Sequence, residues 1–492
     1  MKLLNRYSIF AIVLLALFIP SCEEPLEIEP KSEFSGAFLE TQEGVEALLA
    51  SAYANGQLNG WGGAADYIAL NECTTDMFRD YIGAYFNNTL RKYQEFSFDP
   101  GHTAVIQAYW RQNYRAIRDA NILITVVPDH PSLSQELKDR YLGEAKFIRA
   151  TAYNFLYDWF GGVPLITENT TELFPERASA EEIEDFVVSE LTAAAPLLPT
   201  TVPETEFGRA TRGSALGVLA QFQLNTKNWG DAAQTAQQVM NLGVYQLLPN
   251  YADIFALDNE GNNEMIYVFP NIDVEPVGNN WTRNVLPGDY PTSVVNAATQ
   301  STIQDAFYYT FDAEDERADL IVTEYISNKG EFINLLDPNS PPLGDKYKHP
   351  RSFKYPIDED SADPTIGGQD VPYIRYSQIL LTRSEGLVMS SGTVTQEALD
   401  LLNEVRNRAG LPDYTLADIP DQATFIDKIL AERGWELYSE GKRRPDLIRH
   451  DRFIQNALDR GITLAKPFHV LFPIPQPEID ANENLVQNDG YN

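Results

Sequence analysis

Cysteine and histidine are scarce, and positive charge is in deficit. Two cysteines occur in 492 residues, Cys22 and Cys73, so no disulfide framework can hold the fold and stability has to come from packing. The five histidines, His102, His130, His349, His450 and His469, are scattered without a His-x-x-x-His pair, which removes the usual zinc spacings. No Gly-x-Ser-x-Gly elbow is present; Gly213-Ser214-Ala215-Leu216-Gly217 has the wrong spacing and falls in a helical stretch. Lys and Arg number 37 against 71 Asp and Glu, a net charge of −34 that repels phosphate backbones and anionic head groups. Nucleic acid is therefore excluded as a partner. Beyond the N-terminus no apolar run approaches the roughly 20 residues that span a bilayer.

At the N-terminus, Lys2 and Arg6 precede an apolar core from Ile9 to Ile19, and Ser21-Cys22 closes it. The run is too short to span, so residues 1–21 read as a cleavable signal. A small residue directly before a cysteine at that place resembles a bacterial lipobox, which predicts acylation of Cys22. Residues 22–34, with Glu23, Glu24, Glu27 and Glu29, read either as an acidic tether that directs a lipoprotein to the cell surface or as a plain solvated spacer. Residues 35–492 are read as a single domain.

Most of that domain has helical periodicity. Leu137, Tyr141, Ala145, Ile148, Ala152, Phe155 and Trp159 are spaced by three and four, one face of a long helix that Gly161-Gly162-Val163-Pro164 stops. A helix from about 103 to 127 precedes it and ends at Pro128. Thr211 to Asn225 and Trp229 to Met240 form a pair close to one tetratricopeptide unit, with Leu216, Leu219, Ala220, Ala232 and Ala236 at its packing positions. Further helices are predicted at Val371 to Met389, Thr395 to Ala409 and Phe425 to Gly441. The fold class is thus predominantly all-α, a scaffold of about four divergent helix pairs that bury their apolar faces by stacking. Two segments, about 56–100 and 241–372, lack this periodicity and are predicted to be long loops with a few short strands, where a site is expected.

Those loops carry the candidate site residues. Trp61, Asp66, Tyr67, Arg79, Tyr81, Tyr85 and Asn87 lie in the first, and Trp281, Arg283 and Tyr290 in the second. Flat rings edged by amides, carboxylates and guanidinium groups suit capture of a sugar or peptide face, because a rigid ring offers wide apolar area at small entropic cost. The plainer reading is that each ring packs its loop onto the scaffold. No residue is read as catalytic and no metal ligand is predicted. Asp312, Glu314, Asp315 and Glu316 lack the glycine of an EF-hand, and Asp258 to Glu264 place Gly261 too early, so calcium is neither predicted nor ruled out.

Several strings in order resemble the SusD/RagB family of outer-membrane nutrient-binding lipoproteins. They are Gly143-Glu144-Ala145-Lys146-Phe147-Ile148-Arg149-Ala150 with Gly162-Val163-Pro164-Leu165, Asp315-Glu316-Arg317, and Tyr373-Ile374-Arg375-Tyr376-Ser377. Then come Leu402-Asn403-Glu404-Val405-Arg406-Asn407-Arg408-Ala409-Gly410, Glu432-Arg433-Gly434-Trp435-Glu436, and Phe472-Pro473-Ile474-Pro475. Gly434 and Pro445 depart from the bulkier residues the family often has there. The resemblance implies a lipid-anchored helical protein on the outer face of the outer membrane, acting as a lid on a SusC-like TonB-dependent barrel. It implies binding of oligosaccharide, or of peptide in some members, without catalysis or cofactor. Arg406, Arg408, Glu432 and Trp435 are read as packing and ion-pair residues rather than ligand contacts. A secreted polysaccharide hydrolase using two carboxylates, and a scaffold that makes only protein contacts, are the alternatives.

Overall fold

The computed structural model describes residues 37–56, 64–80, 89–102, 104–274, 277–298, 300–337, 339–340 and 348–491. The predicted signal, Cys22 and the acidic tether lie outside the described residues. Helices dominate. In chain order they are α1 (Gln42–Gly56), α2 (Ala64–Cys73), α3 (Thr89–Gln94), α4 (Ala104–Val126), α5 (Gln135–Phe160), α6 (Ala180–Ala194), α7 (Arg212–Asn225) and α8 (Trp229–Met240). There follow α9 (Trp281–Val285), α10 (Asp305–Tyr308), α11 (Tyr376–Ser391), α12 (Gln396–Arg408), α13 (Gln422–Leu437), α14 (Arg443–Arg449), α15 (Phe453–Asp459) and α16 (Gln476–Ala481). The strands are β1 (Phe78–Asp80), β2 (Met265–Phe269), β3 (Ser301–Ile303), β4 (Ile321–Val322), β5 (Glu324–Ile326), β6 (Phe332–Asn334), β7 (Arg351–Ser352) and β8 (Val371–Arg375).

Local chemistry places the helix ends. Ser134 accepts from the Leu137 amide at the start of α5, and Gly161, at φ +69°, ends it by donating to the Tyr157 carbonyl. Six of the seven residues read as one face of α5 are buried, and Leu137 is partly covered. Ser179 and Glu182 cap α6 reciprocally, and Thr211 and Ser214 do the same for α7. Successive helices pack as pairs: α1 on α4, α4 on α5, α5 on α6, α7 on α8 and α11 on α12. The α8 and α11 helices approach especially closely, because Gly386 presents no Cβ; one built there would stand 2.6 Å from the Trp229 carbonyl oxygen.

Three predicted boundaries are corrected. Val371–Arg375 is strand β8, not the start of a helix; it pairs antiparallel with β2, and α11 begins only at Tyr376. Its residues are buried on both sides, so the apolar run read as helical is a covered strand. The third predicted C-terminal helix ends at Leu437 rather than Gly441, because Ser439 and Gly441 both take positive φ. The segment 56–100 is not all loop: α2, β1 and α3 lie within it, and α2 is part of the core.

A buried ion network ties these parts together. Arg375, at the end of β8, donates to Glu264 at 2.6 Å, Glu436 at 2.9 Å and Glu440 at 2.8 Å. Arg317 reaches Asp315 at 2.8 Å and Glu432 at 2.6 Å, while Arg406 takes the other Glu432 oxygen at 2.8 Å. Arg408 bridges Glu264 and Glu436, and the Lys354 ammonium meets Glu440 at 2.6 Å. Glu72 of α2 joins from the far side, accepting the amides of Ser439, Glu440 and Gly441 at 2.9, 3.0 and 2.8 Å. Burial nonetheless pushes the Glu72 carboxyl up to about 8 and the Lys354 ammonium down to about 8. Beside it Glu385 accepts from Arg449 and His450, and Asp446 from Arg433 and Arg449. Arg406, Arg408 and Glu432 are therefore structural, as read from the sequence, and so is Trp435, which is buried with its indole N–H donating to Thr310 Oγ1 at 2.9 Å.

Breaking one member leaves buried charge uncompensated. Arg375→Met is expected to destabilise the chain by about 3–5 kcal/mol, read as a lower denaturant midpoint. Arginine neighbours hold Glu385, Glu436, Glu440 and Asp446 below their ordinary values against the opposing effect of burial. Their folded pKa lies under the unfolded one, so the stabilisation is present above the ordinary carboxylate range and is lost as pH falls through the folded values. Thermal unfolding followed from pH 7 to pH 3 is expected to show a midpoint that drops steeply below the unfolded glutamate value of 4.5; a flat profile there contradicts the assignment.

Candidate ligand-binding face

The two loop segments that the sequence offers separately are joined by a two-stranded antiparallel sheet. β1 pairs with β3 in the register Phe78↔Ile303, Arg79↔Thr302, Asp80↔Ser301. Gln304 locks the pairing, its side-chain amide donating to the Thr75 carbonyl at 2.7 Å and the Phe78 carbonyl at 3.0 Å. The chain therefore leaves β1 toward residues 81–88 beside the point where the middle segment enters β3. Helix α9 stands against this sheet: the Ala298 and Gln300 amides donate to the Arg283 and Asn284 carbonyls at 2.8 and 2.7 Å.

Of the ten candidate residues, Trp61, Tyr81, Tyr85 and Asn87 lie outside the described residues, and Asp66 is placed only by its backbone in α2. Tyr67 and Trp281 are corrections: both are interior and cannot serve as ligand platforms. Tyr67 is 4% exposed, parallel to Tyr109 and Trp159 at 6.4 and 6.3 Å and edge-on to Phe155 and Tyr373. Trp281 is 1% exposed, edge-on to Phe78 at 5.3 Å, and its ring fastens α9 to β1. In both, a large ring in a polar context reflects helix anchoring, which sequence alone does not distinguish from display.

Arg79, Arg283 and Tyr290 remain on the surface side. Arg79 is exposed on β1. Arg283 is half-buried, and its Nε has no hydrogen-bond partner; it borders a small hollow with Asp358, Thr365 and Gln369. The neighbouring Asn284 Oδ1 and Gln300 Oε1 are also buried without partners. Such groups cost free energy when dry, so each calls for a water or another polar partner. Tyr290 is half-buried against Tyr325 at 5.4 Å and Phe353 at 5.1 Å, and burial raises its hydroxyl pKa. The Tyr325 hydroxyl donates to Asp289 at 2.5 Å. The β5–β6 hairpin beside it exposes the cross-strand pair Ile326 and Phe332, at 53% and 56%.

Sequence reasoning missed Tyr309, a ring 65% exposed one turn beyond β3, packed edge-on to Tyr308 at 5.6 Å. Its signal was the Tyr308-Tyr309 doublet in an acidic stretch, where only one of two adjacent rings can face a core. Among the described residues no group of three or more His, Cys, Asp or Glu side chains is placed to hold a metal ion, and no helix is long and apolar enough to cross a membrane.

Stacked helix pairs that present a loop-built polar and aromatic face define a class, the helical-repeat binding scaffold. The chain belongs to the SusD family, whose model, described by that name, matches residues 225–491; a second, described as "Starch-binding associating with outer membrane", matches residues 25–224. It is similar to SusD-like protein P25 of Formosa agariphila, 25% identical over 536 residues that cover 99% of this chain and 98% of that one. It is also similar to the starch-binding protein SusD of Bacteroides thetaiotaomicron, 22% identical over 99% of this chain and 98% of the other. The solved structure of surface glycan-binding protein A from Bacteroides thetaiotaomicron in complex with laminarihexaose shares the fold, with a TM-score of 0.76, 19% identity, and coverage of 91% of this chain and 99% of that one.

The burial pattern separates anchors from displayed rings. Trp281→Ala is expected to destabilise the chain by about 3–5 kcal/mol, whereas Tyr309→Ala should stay within about 0.5 kcal/mol of the parent. Urea unfolding of both variants checks this contrast.

Proposed function

We propose that this chain is a glycan-binding lipoprotein of the outer membrane, exposed at the cell surface, that captures oligosaccharide and delivers it to a SusC-like TonB-dependent barrel without cleaving it. The observation that carries the reading is the union of the two loop segments by β1 and β3, which sets the strand of Arg79 against the stretch that follows Gln300 and is bonded to the helix of Arg283. Family membership supports it, as do the names of relatives that bind starch or were solved with laminarihexaose. A flat sugar face suits exposed rings such as Tyr309, and hydroxyls suit guanidinium and amide groups. Acylation of Cys22 would hold the body at the membrane. Binding requires only the displayed groups, and no catalytic residue is assigned.

Isothermal titration against a panel of neutral and acidic oligosaccharides, with peptides as a second arm, tests the reading. Affinity is expected to rise with glycan length, and Arg283→Ala and Tyr309→Ala should each weaken binding about tenfold, about 1.4 kcal/mol. Heat from peptides alone would turn the assignment to a peptide binder. Silence across the panel, or shortening of a glycan on incubation, would overturn it.

A further inference from the structure

A second hollow lies away from the loop face. It measures about 220 Å³, and none of its lining residues belongs to α9, β1 or β3. Its walls are the turn before α7, the segment after α8, and β2 with the residues that lead into it. Local bonds fix these walls to one another. Ser214 Oγ donates to the Ile266 carbonyl at 2.9 Å, which ties β2 to α7, and the Gln246 amide donates to the Asn263 carbonyl at 3.0 Å. Gly261, at φ +70°, lets the chain pass close to Phe207; a Cβ built there would stand 3.2 Å from the ring. The hollow is therefore shaped by the chain itself.

One flat ring lines it. Phe207 is 37% exposed, lies outside the core and stacks on no other ring among the described residues. Thr200, Thr201 and Asn263 line the same hollow, and their hydroxyls and carboxamide have no partner among the described residues. The other polar groups are closed. Asn262 donates to the Ile254 and Asn259 carbonyls, both at 3.0 Å, and accepts the Glu264 amide at 3.1 Å. Arg209 is the one charged residue among the described residues of the lining, and it meets Glu144 at 2.7 Å and Glu206 at 3.3 Å. Arg140 shares both carboxylates, so two cations and two anions cancel.

That inventory selects a ligand class. An ion finds no free counter-charge, and an alkyl group would cover hydroxyls and an amide without replacing their water. A hydroxyl-bearing ring satisfies both parts of the lining. Its C–H face lies on the aromatic ring, and its hydroxyls exchange hydrogen bonds with groups able to donate and accept. The volume falls below the roughly 300–1,000 Å³ of pockets for larger ligands, so it suits one ring rather than a chain. We propose that this hollow is a second sugar site, separate from the loop face, which takes a single neutral sugar unit against Phe207. It shares a ligand class with the proposed function and uses none of the residues assigned there.

The test labels the full chain with para-fluorophenylalanine and follows it by fluorine NMR. Among the 25 phenylalanines, the Phe207 signal is assigned by its loss in Phe207→Leu. Methyl glycosides of glucose, galactose, mannose and xylose are titrated one at a time. At least one is expected to move the Phe207 signal saturably, with a Kd in the millimolar range. The signal lost in Phe174→Leu, an exposed ring outside the hollow, should stay in place. Asn263→Ala and Thr201→Ala should each weaken the response about threefold or more. The response should persist in Arg283→Ala, whose loss of glycan affinity belongs to the loop face. Silence of the oligosaccharide panel alongside a Phe207 response would sink the functional reading alone. No response to any glycoside, its loss in Arg283→Ala, or an equal response to pentanol or to a neutral tripeptide overturns the inference.

Discussion

The interaction on which the structure depends is the compensation of buried charge around Arg375. A guanidinium with no exposed surface is tolerable only where carboxylates and carbonyls surround it, and here Glu264 comes from one place in the chain and Glu436 and Glu440 from another. Each contributor is useless alone: Glu264 precedes β2, Glu436 and Glu440 belong to α13 and the turn after it, and Arg375 ends β8. Satisfying one arginine therefore fixes the middle segment against the C-terminal helices. Glu72 ties α2 to the same region by hydrogen bonding, because its carboxyl oxygens accept the three amides left open by the turn at Ser439 to Gly441.

That arrangement explains how irregular segments are held firmly enough to form a face. The strands are short pairs, none of which makes an independent sheet. Their rigidity comes from what lies beneath them: Trp281 wedged on Phe78, Arg317 enclosed by Asp315 and Glu432, Lys354 under the carbonyls of Glu436 and Tyr438. The helical scaffold supplies apolar burial and the ion network supplies position. Side chains outside both, among them Arg79, Arg283 and Tyr309, stand at the surface of the loop segments.

Legibility of the sequence followed the range of the interactions concerned. The face of α5 was legible because a period of 3.6 is a local property, and the Trp229 to Met240 helix because the spacing of its buried alanines is local too. Val371 to Arg375 was misread because a strand covered on both faces has no alternation, and only its pairing with Met265 to Phe269 reveals it. Tyr67 and Trp281 were misread for a related reason: whether a ring faces water depends on which distant helix arrives beside it.

Composition and local spacing determined that the chain is acidic, without a disulfide framework and built on stacked helix pairs, and ordered motifs pointed to its family. Those properties are summed over neighbours in the chain. The tertiary structure alone decided that residues 78–80 and 301–303 meet, that five cations and five carboxylates cluster in the interior, and which aromatic rings are left at the surface. Each of these is a pairing across tens to hundreds of residues, where burial and charge compensation, rather than local preference, set the outcome.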